Sequence, residues 1–405
     1  MQPNDETLLD EATDALPAAI ALRRRLHRFP ELGLELPATQ EAILESLDGL
    51  GLEIERGRRT TSVVATLAGA RPGPTVLLRA DMDALPMPED TGLEYASRTP
   101  GAMHACGHDA HVAMLAGAAR LLARRREDIA GRVLFMFQPG EEGSFGARVM
   151  IEEGLLDRDP LPSAAFALHV IPVLAAGSVS TRTSVLMASN DDFRITIRGR
   201  GGHASMPHDA LDPIPVACEI VQALQSYVTR RVNAFDPAVI TVARIDAGST
   251  FNVIPETATM LGTIRTVSER TRKQVTRELR DLAEGIARAH GATAELSLWD
   301  GYPVTENHPG SAERALAVAR ELLGAERVRE LKSPVMGAED FSYVLERVPG
   351  AMLLLGVRPD GVDRPAPNHS NRMMLNESAM ASGIALYAAL ARDALAQPVK
   401  VGASS

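Results

Sequence analysis

Nine residues, Met103-His104-Ala105-Cys106-Gly107-His108-Asp109-Ala110-His111, hold one of the two cysteines and three of the ten histidines of this 405-residue chain. Cys106 and His108 flank a glycine, which lets the backbone turn so that both side chains point at one centre. Thiolate and imidazole together are the ligand set of a borderline-soft cation such as zinc. An apolar run over residues 112–119 follows, so the pair is expected in a loop at a helix N-terminus. Alone, a Cys-x-His also fits a polar turn around a buried free cysteine.

Three further stretches repeat one design, an apolar strand that ends in a ligand-type residue. Residues 76–78 run into Arg79-Ala80-Asp81-Met82-Asp83-Ala84-Leu85-Pro86, residues 133–137 into Gln138-Pro139-Gly140-Glu141-Glu142-Gly143, and residues 164–168 into His169. Carboxylates at strand ends are well placed to face a site in an α/β sheet. Consecutive side chains point in different directions, so one of the two adjacent glutamates can bind a metal while the other faces a substrate.

Around these residues, apolar patterning predicts the positioning elements. Helices are expected at residues 6–28, 38–49 and 109–125, with strands at 63–67, 76–78, 133–137 and 164–168. The arginines Arg23-Arg24-Arg25 read as a solvated helix end matched to the helix dipole. Arg71-Pro72-Gly73-Pro74 reads as a turn between two strands. This alternation predicts a three-layer α/β domain. The pattern changes near residue 185. Residues 193–198 alternate strictly, 211–232 and 268–290 are helical, and 239–245, 258–264 and 294–298 are strands. The order β-α-β-β-α-β is that of a ferredoxin-like unit, which would be inserted into the larger domain. The α/β pattern then resumes with helices at 310–323 and 376–394 and a strand at 352–355. The expected division is residues 1–184 and 300–405 for one domain and 185–299 for the insert. The last residues, Gln397 to Ser405, read as a loose tail.

The net charge of −10 argues against nucleic acid or an anionic membrane as partner. No stretch reads as long and apolar enough to span a membrane, and the acidic start lacks the apolar run of a signal peptide. Two distant cysteines make no disulfide framework, so a reducing, cytoplasmic setting is expected.

The motifs together resemble the M20 metallopeptidase family, within it the amidohydrolase branch of hippurate hydrolases, auxin-conjugate hydrolases and N-acyl-amino-acid deacylases. The resemblance rests on the stretches quoted and on His27-Arg28-Phe29-Pro30-Glu31-Leu32, Gly201-Gly202-His203-Ala204-Ser205, Asn252-Val253-Ile254-Pro255, Gly337-Ala338-Glu339-Asp340-Phe341 and Asn368-His369-Ser370. They lie in family order along almost the whole chain. The resemblance implies a catalytic domain with a two-metal site and an inserted lid or dimerisation domain, working as a homodimer on a small N-acyl amino acid. It places metal ligands at Cys106, His108, Glu142, His169 and His369, and a catalytic glutamate at Glu141. Asp83 becomes a carboxylate supporting the site. His203 would reach the partner subunit's active site, and Asn252 and Arg265 would take the substrate's carboxylate. Asp81 stands where many relatives outside this branch carry a metal-binding histidine, and is not counted as a ligand. One thiolate, three imidazoles and one carboxylate favour zinc, with cobalt or nickel possible and manganese admitted by the resemblance. Cleavage of N-acyl amino acids is the expected reaction. A dipeptidase or carboxypeptidase using the same residues remains open.

Overall fold

The structure is a computed structural model, and it describes residues 5–397. The tail expected from Gln397 lies outside them beyond that residue, as do residues 1–4 of the acidic start. The chain opens with helices α1 (Asp5–Arg28) and α2 (Pro37–Leu47) and strands β1 (Glu53–Arg56), β2 (Val63–Ala68) and β3 (Arg71–Asp81). Then come α3 (His108–Arg124), β4 (Ala130–Gln138), α4 (Gly146–Glu152), β5 (Ala164–Ile171), β6 (Val179–Thr181) and β7 (Val185–Met187). Next follow β8 (Ser189–Arg198), β9 (Gly202–His203), α5 (Pro213–Arg231), β10 (Ala238–Ala247), β11 (Val253–Ile254), β12 (Thr257–Thr266), α6 (Glu269–Ala289), β13 (Thr293–Asp300) and β14 (Thr305–Glu306). The chain closes with α7 (Pro309–Leu323), β15 (Val328–Glu330), α8 (Ser342–Leu345), β16 (Gly350–Gly356) and α9 (Met380–Ala396).

Two compact units result. The first joins Met1–Leu186, Glu306–Ser333 and Asp340–Ser405, and the second Met187–Thr305 with Pro334–Glu339. No pattern in the sequence announces that last short segment.

The first unit is built on a mixed sheet in the order β1-β2-β4-β3-β5-β16-β6-β15. Strand β3 runs parallel to β4 and β5, and β16 parallel to β5. Strands β4, β5 and β16 are buried along almost their whole length and β3 from Thr75 onward, as strands covered on both faces are. Register brings the strand ends level. Asp81 pairs with Gln138, and Arg79 with Ala167, so Asp81, the Glu141-Glu142 turn and His169 share one end of the sheet. The turn expected at Arg71–Pro74 is instead the start of β3, with a register shift before Thr75. Proline lacks a ladder donor and is tolerated at such an irregular strand start.

Helices α3 and α9 pack on this sheet and on each other, and α1 packs on both. A Cβ at Gly383 would lie 2.1 Å from the Met114 sulfur, so only glycine permits this approach of α9 to α3. The stretch Glu377–Ala396 is long and apolar enough to cross a membrane, against the sequence reading that none is. Its apolar window is 83% buried, so its composition is that of a central core helix, apolar all round. The arginine run also departs from expectation. Arg23 is 1% exposed, bonded through Nε to Asp109 Oδ2 at 2.9 Å and through Nη1 to Tyr95 and Glu377. Among the three, Arg24 and Arg25 are the exposed members.

In the second unit the sheet order is β10-β12-β8-β13, all antiparallel. That is the ferredoxin-like order, with α5 and α6 on one face. Helix α6 shows why: Thr271, Val275, Leu279, Ala283 and Ala287 recur every four residues and are buried, with Leu282 and Ile286 packed beside them and charged residues dominating the remaining face. A small ladder of β9 and β11 pairs His203 with Val253.

Candidate metal centre

Gly107 carries the turn on which the centre depends. Its φ is +88°, and a Cβ there would lie 2.3 Å from Val170 Cγ2, so a side chain would be both strained and obstructed. Cys106 precedes it and His108 opens α3. Three groups of ligand-type atoms then converge, the members of each within 4.8 Å of one another: Cys106, His108 and His169; Cys106, Glu142 and His369; His108, Glu141 and Glu142. Five predicted ligand positions and Glu141 are thus brought together, with Cys106 common to two groups. A further group joins Asp81, His108 and His111. The sequence reading gave His111 no role. Its signal was available, because a histidine three residues after His108 shares a helix face with it.

The histidines are oriented by hydrogen bonds on their other nitrogens. His108 Nδ1 donates to the Asp83 carbonyl at 2.9 Å, and His169 Nδ1 donates to the Val170 carbonyl at 2.9 Å. Each leaves Nε2 facing the cluster, and His169 Nε2 lies 3.3 Å from Cys106 Sγ. Fixing one imidazole nitrogen on a carbonyl to free the other is how metal-binding histidines are held. The Asp83 carboxylate spans two backbone donors, Glu141 N–H at 2.9 Å and Glu142 N–H at 3.0 Å. It therefore holds the glutamate turn, while its carbonyl holds His108.

His369 lies in the loop after β16 with φ 66°, a left-handed backbone that costs a non-glycine residue roughly 1–2 kcal/mol. Its N–H donates to the Ala105 carbonyl at 2.8 Å. The neighbouring Asn368 amide donates to the carbonyls of Cys106 and Val170 at 3.0 and 3.2 Å. The strained loop is thus tied to the cysteine turn, and His369 Nε2 stands 3.3 Å from Glu142 Oε1.

Electrostatics mark the centre as short of positive charge. Burial disfavours charge on His108, but Asp81 and Cys106 outweigh it and hold its pKa well above the usual value. Contacts with Cys106 and Glu142 raise His369 to about 10. His169 is pushed down to about 3 by burial, then by His111. Burial raises the Cys106 thiol, with His108 opposing. The donor set fits a metal on a second count. His108 Nε2 is buried, has no hydrogen-bond partner among the described residues, and faces Glu142 Oε1 at 3.9 Å, an oxygen that His369 Nε2 also approaches at 3.3 Å. A buried polar atom without a partner costs roughly 1–3 kcal/mol, and a shared cation would satisfy both.

Behind the centre, Asp81 is engaged by Arg79 and His111, each at 2.5 Å. Asp340, which the sequence left without a role, accepts from Arg79 Nη2 at 3.0 Å, from the Gln138 amide and from Ala147 N–H.

The other predicted residues belong to the second unit. Ser205 N–H donates to His203 Nδ1 at 3.1 Å, which leaves Nε2–H of this exposed histidine as a donor. Asn252 is its neighbour through a bond from Ala204 N–H to the Asn252 carbonyl. Arg265 is half-buried on β12, and its guanidinium has no hydrogen bond or ion pair among the described residues. Burial lowers its pKa, opposed by Asp192 and Asp191.

Known proteins share this chain's sequence and fold. A thermostable carboxypeptidase of Saccharolobus solfataricus is 37% identical over 390 residues, 95% of this chain and 98% of its own length. An N-acetylcysteine deacetylase of Bacillus subtilis is 40% identical over 338 residues, covering 83% of this chain and 87% of that protein. The crystal structure of a dinuclear metal-binding peptidase of the M20 family from Bacillus subtilis superposes with a TM-score of 0.82 and 34% identity, covering 95% and 99% of the two chains. The model of peptidase family M20/M25/M40 matches residues 77–393, and the chain belongs to that family.

Proposed function

We propose that this protein is a metal-dependent amidohydrolase that cleaves N-acyl amino acids into a carboxylic acid and a free amino acid. The observation that carries the reading is the convergence of Cys106, His108, Glu142, His169 and the exposed His369 around one spot beside Glu141. Cys106, His108 and His169 would hold one divalent cation, and Cys106, Glu142 and His369 a second. When bound, such ions polarise the amide carbonyl and lower the pKa of bound water to roughly 7. Glu141 then takes the attacking water's proton and returns it to the leaving nitrogen. Asp83 keeps Glu141 and Glu142 in place through their backbone N–H groups. Zinc suits a donor set with a thiolate, and cobalt, nickel and manganese are the alternatives.

His203 offers its Nε2–H to the developing oxyanion, and Asn252 and Arg265 receive the substrate's carboxylate. An unpartnered, half-buried arginine is suited to that by its planar fork. The working form is a homodimer in which His203 serves the partner subunit's site. Exposed apolar residues of the second unit support association: Phe235 is 97% and Phe251 96% exposed, and edge strand β10 exposes Val239 and Ile245.

A carboxypeptidase activity is the second reading, favoured by the 37% identity to a protein of that name over nearly the whole chain. The test is a panel of N-acyl amino acids and short peptides, assayed with metal-stripped protein reloaded with zinc, cobalt, manganese or nickel. Turnover of acyl amino acids well above peptides supports the first reading. Preferential release of C-terminal residues from peptides overturns it.

A further inference from the structure

His111 stands among the nitrogen and sulfur atoms of the centre, yet both its ring nitrogens are committed to protein atoms. Nδ1 lies 2.5 Å from Asp81 Oδ1, and a carboxylate oxygen there accepts. Nε2 accepts the Val170 N–H at 2.8 Å. The tautomer is therefore set, with the proton on Nδ1 and the lone pair of Nε2 already used.

What His111 holds is the residue that orients His169. Val170 takes its N–H to His111 and its carbonyl to His169 Nδ1–H. The His111 ring also wedges between the two imidazoles of one candidate group. Its centroid is 4.9 Å from that of His169, edge to face, and 5.4 Å from that of His108, stacked. Asp81, which fixes His111, is in turn fixed by Arg79. That arginine is fully buried and anchored on Asp340 and on Gln138 Oε1 at 2.8 Å. Strands β3, β4 and β5 and helix α3 thus meet in one hydrogen-bonded chain that ends at His169.

We propose that His111 is a positioning residue of the metal centre, which sets the orientation of His169 through the Val170 backbone and so tunes the Cys106–His108–His169 group without touching the cation. The inference rests on the metal-dependent reading of the preceding subsection. It differs from a ligand role, in which His111 would have to release Asp81 or Val170 to bind.

The test is cobalt titration of metal-stripped parent, H111L and H111Q against a competing chromophoric chelator, with folding of each apoprotein followed by circular dichroism. Leucine removes both hydrogen bonds. Glutamine offers an amide donor and an acceptor and should restore most of what leucine loses. In the parent, two equivalents should bind. In H111L one equivalent should weaken by roughly 10- to 100-fold, the scale of a lost orienting partner, while the other keeps its affinity. The visible bands of the weakened equivalent should shift in H111L and return in H111Q. Two unchanged equivalents in H111L overturn the proposal, as does equal weakening of both. H111Q as weak as H111L also overturns it and points to a ligand. If H111L does not fold, H111N replaces it: its short amide keeps the Asp81 bond but does not span to Val170, so the same split is expected. A parent that binds no cobalt overturns the metal-dependent reading instead.

Discussion

Asp83→Asn probes the joint on which both glutamates hang. The Asp83 carboxylate accepts from Glu141 N–H and Glu142 N–H at 2.9 and 3.0 Å. An asparagine of nearly the same shape keeps one acceptor oxygen. Its amide nitrogen must face the second N–H, donor against donor. One hydrogen bond to a charged acceptor is lost, worth roughly 1.5–3 kcal/mol. At about 1.36 kcal/mol per factor of ten, that is roughly 10- to 150-fold less protection of that amide against hydrogen exchange. Exchange measured by mass spectrometry on a peptide spanning residues 139–146 of the metal-stripped protein reads this directly. Activity should fall further than folding does, because a misplacement of about 1 Å at a catalytic group can cost roughly 10²-fold. The Asp83 carbonyl that holds His108 is untouched, so kcat should drop more than metal content. Unchanged exchange in that peptide, or unchanged kcat, would refute the idea that Asp83 sets the glutamate turn.

Four further outcomes follow from the geometry. Glu141→Gln should keep its metal and lose kcat by roughly 10²- to 10⁴-fold, whereas Glu142→Gln should lose metal; the reverse pattern in metal analysis exchanges their roles. Cys106→Ala should lower metal occupancy and abolish most activity, and Cys218→Ala, at an exposed position, should do neither; full metal content in the first removes the thiolate from the centre. Arg23→Met leaves Asp109 buried without its arginine and should cost roughly 3–5 kcal/mol in denaturant unfolding, against the near-zero cost expected of a surface arginine. Burial opposes charge on His27, but Asp109 and Glu89 on its two nitrogens raise its pKa. The stabilisation is therefore fully present below the unfolded value of about 6.5 and is lost as pH rises through the folded value, so the gap between parent and His27→Gln should narrow on alkalinisation; a widening gap sinks the assignment.

How much of this was legible depends on the range of the signal. Strand ends that run into Asp81, Glu141 and His169 are local patterns, whereas the parallel register that sets them level is seen only in the folded sheet, because strands buried on both faces carry no alternation to fix it. Helix α6 declares itself through its repeat of four. The Arg23-Arg24-Arg25 run could not be resolved locally. All three residues carry one charge, and what buries Arg23 is Asp109 and Glu377, distant in sequence. Asp340 is the same case, since its partners Arg79 and Gln138 come from two strands far upstream. The proline pair near Arg71 misled because a turn and an irregular strand start use the same residues.

One argument connects the local signals to the distant ones. The centre buries or half-buries Asp81, Asp83, Glu141 and Glu142 together with the Cys106 thiol, and one fully buried arginine, Arg79, stands behind them. Carboxylates this close and this dry repel one another unless positive charge is supplied. Asp83 is relieved by two backbone N–H groups, and Asp81 by Arg79 and His111. Glu142 is left to His108 and His369, and its contact helps raise the pKa of His369. Imidazole and thiol bind a cation only when deprotonated, so metal affinity at this centre should rise with pH. The elements that sequence alone could not place, Arg79 with Asp340 and Gln138, are the ones that neutralise Asp81 from behind. They leave the front of the cluster, where Glu142 and Cys106 face His108 and His369, as the part whose charge is completed from outside the chain.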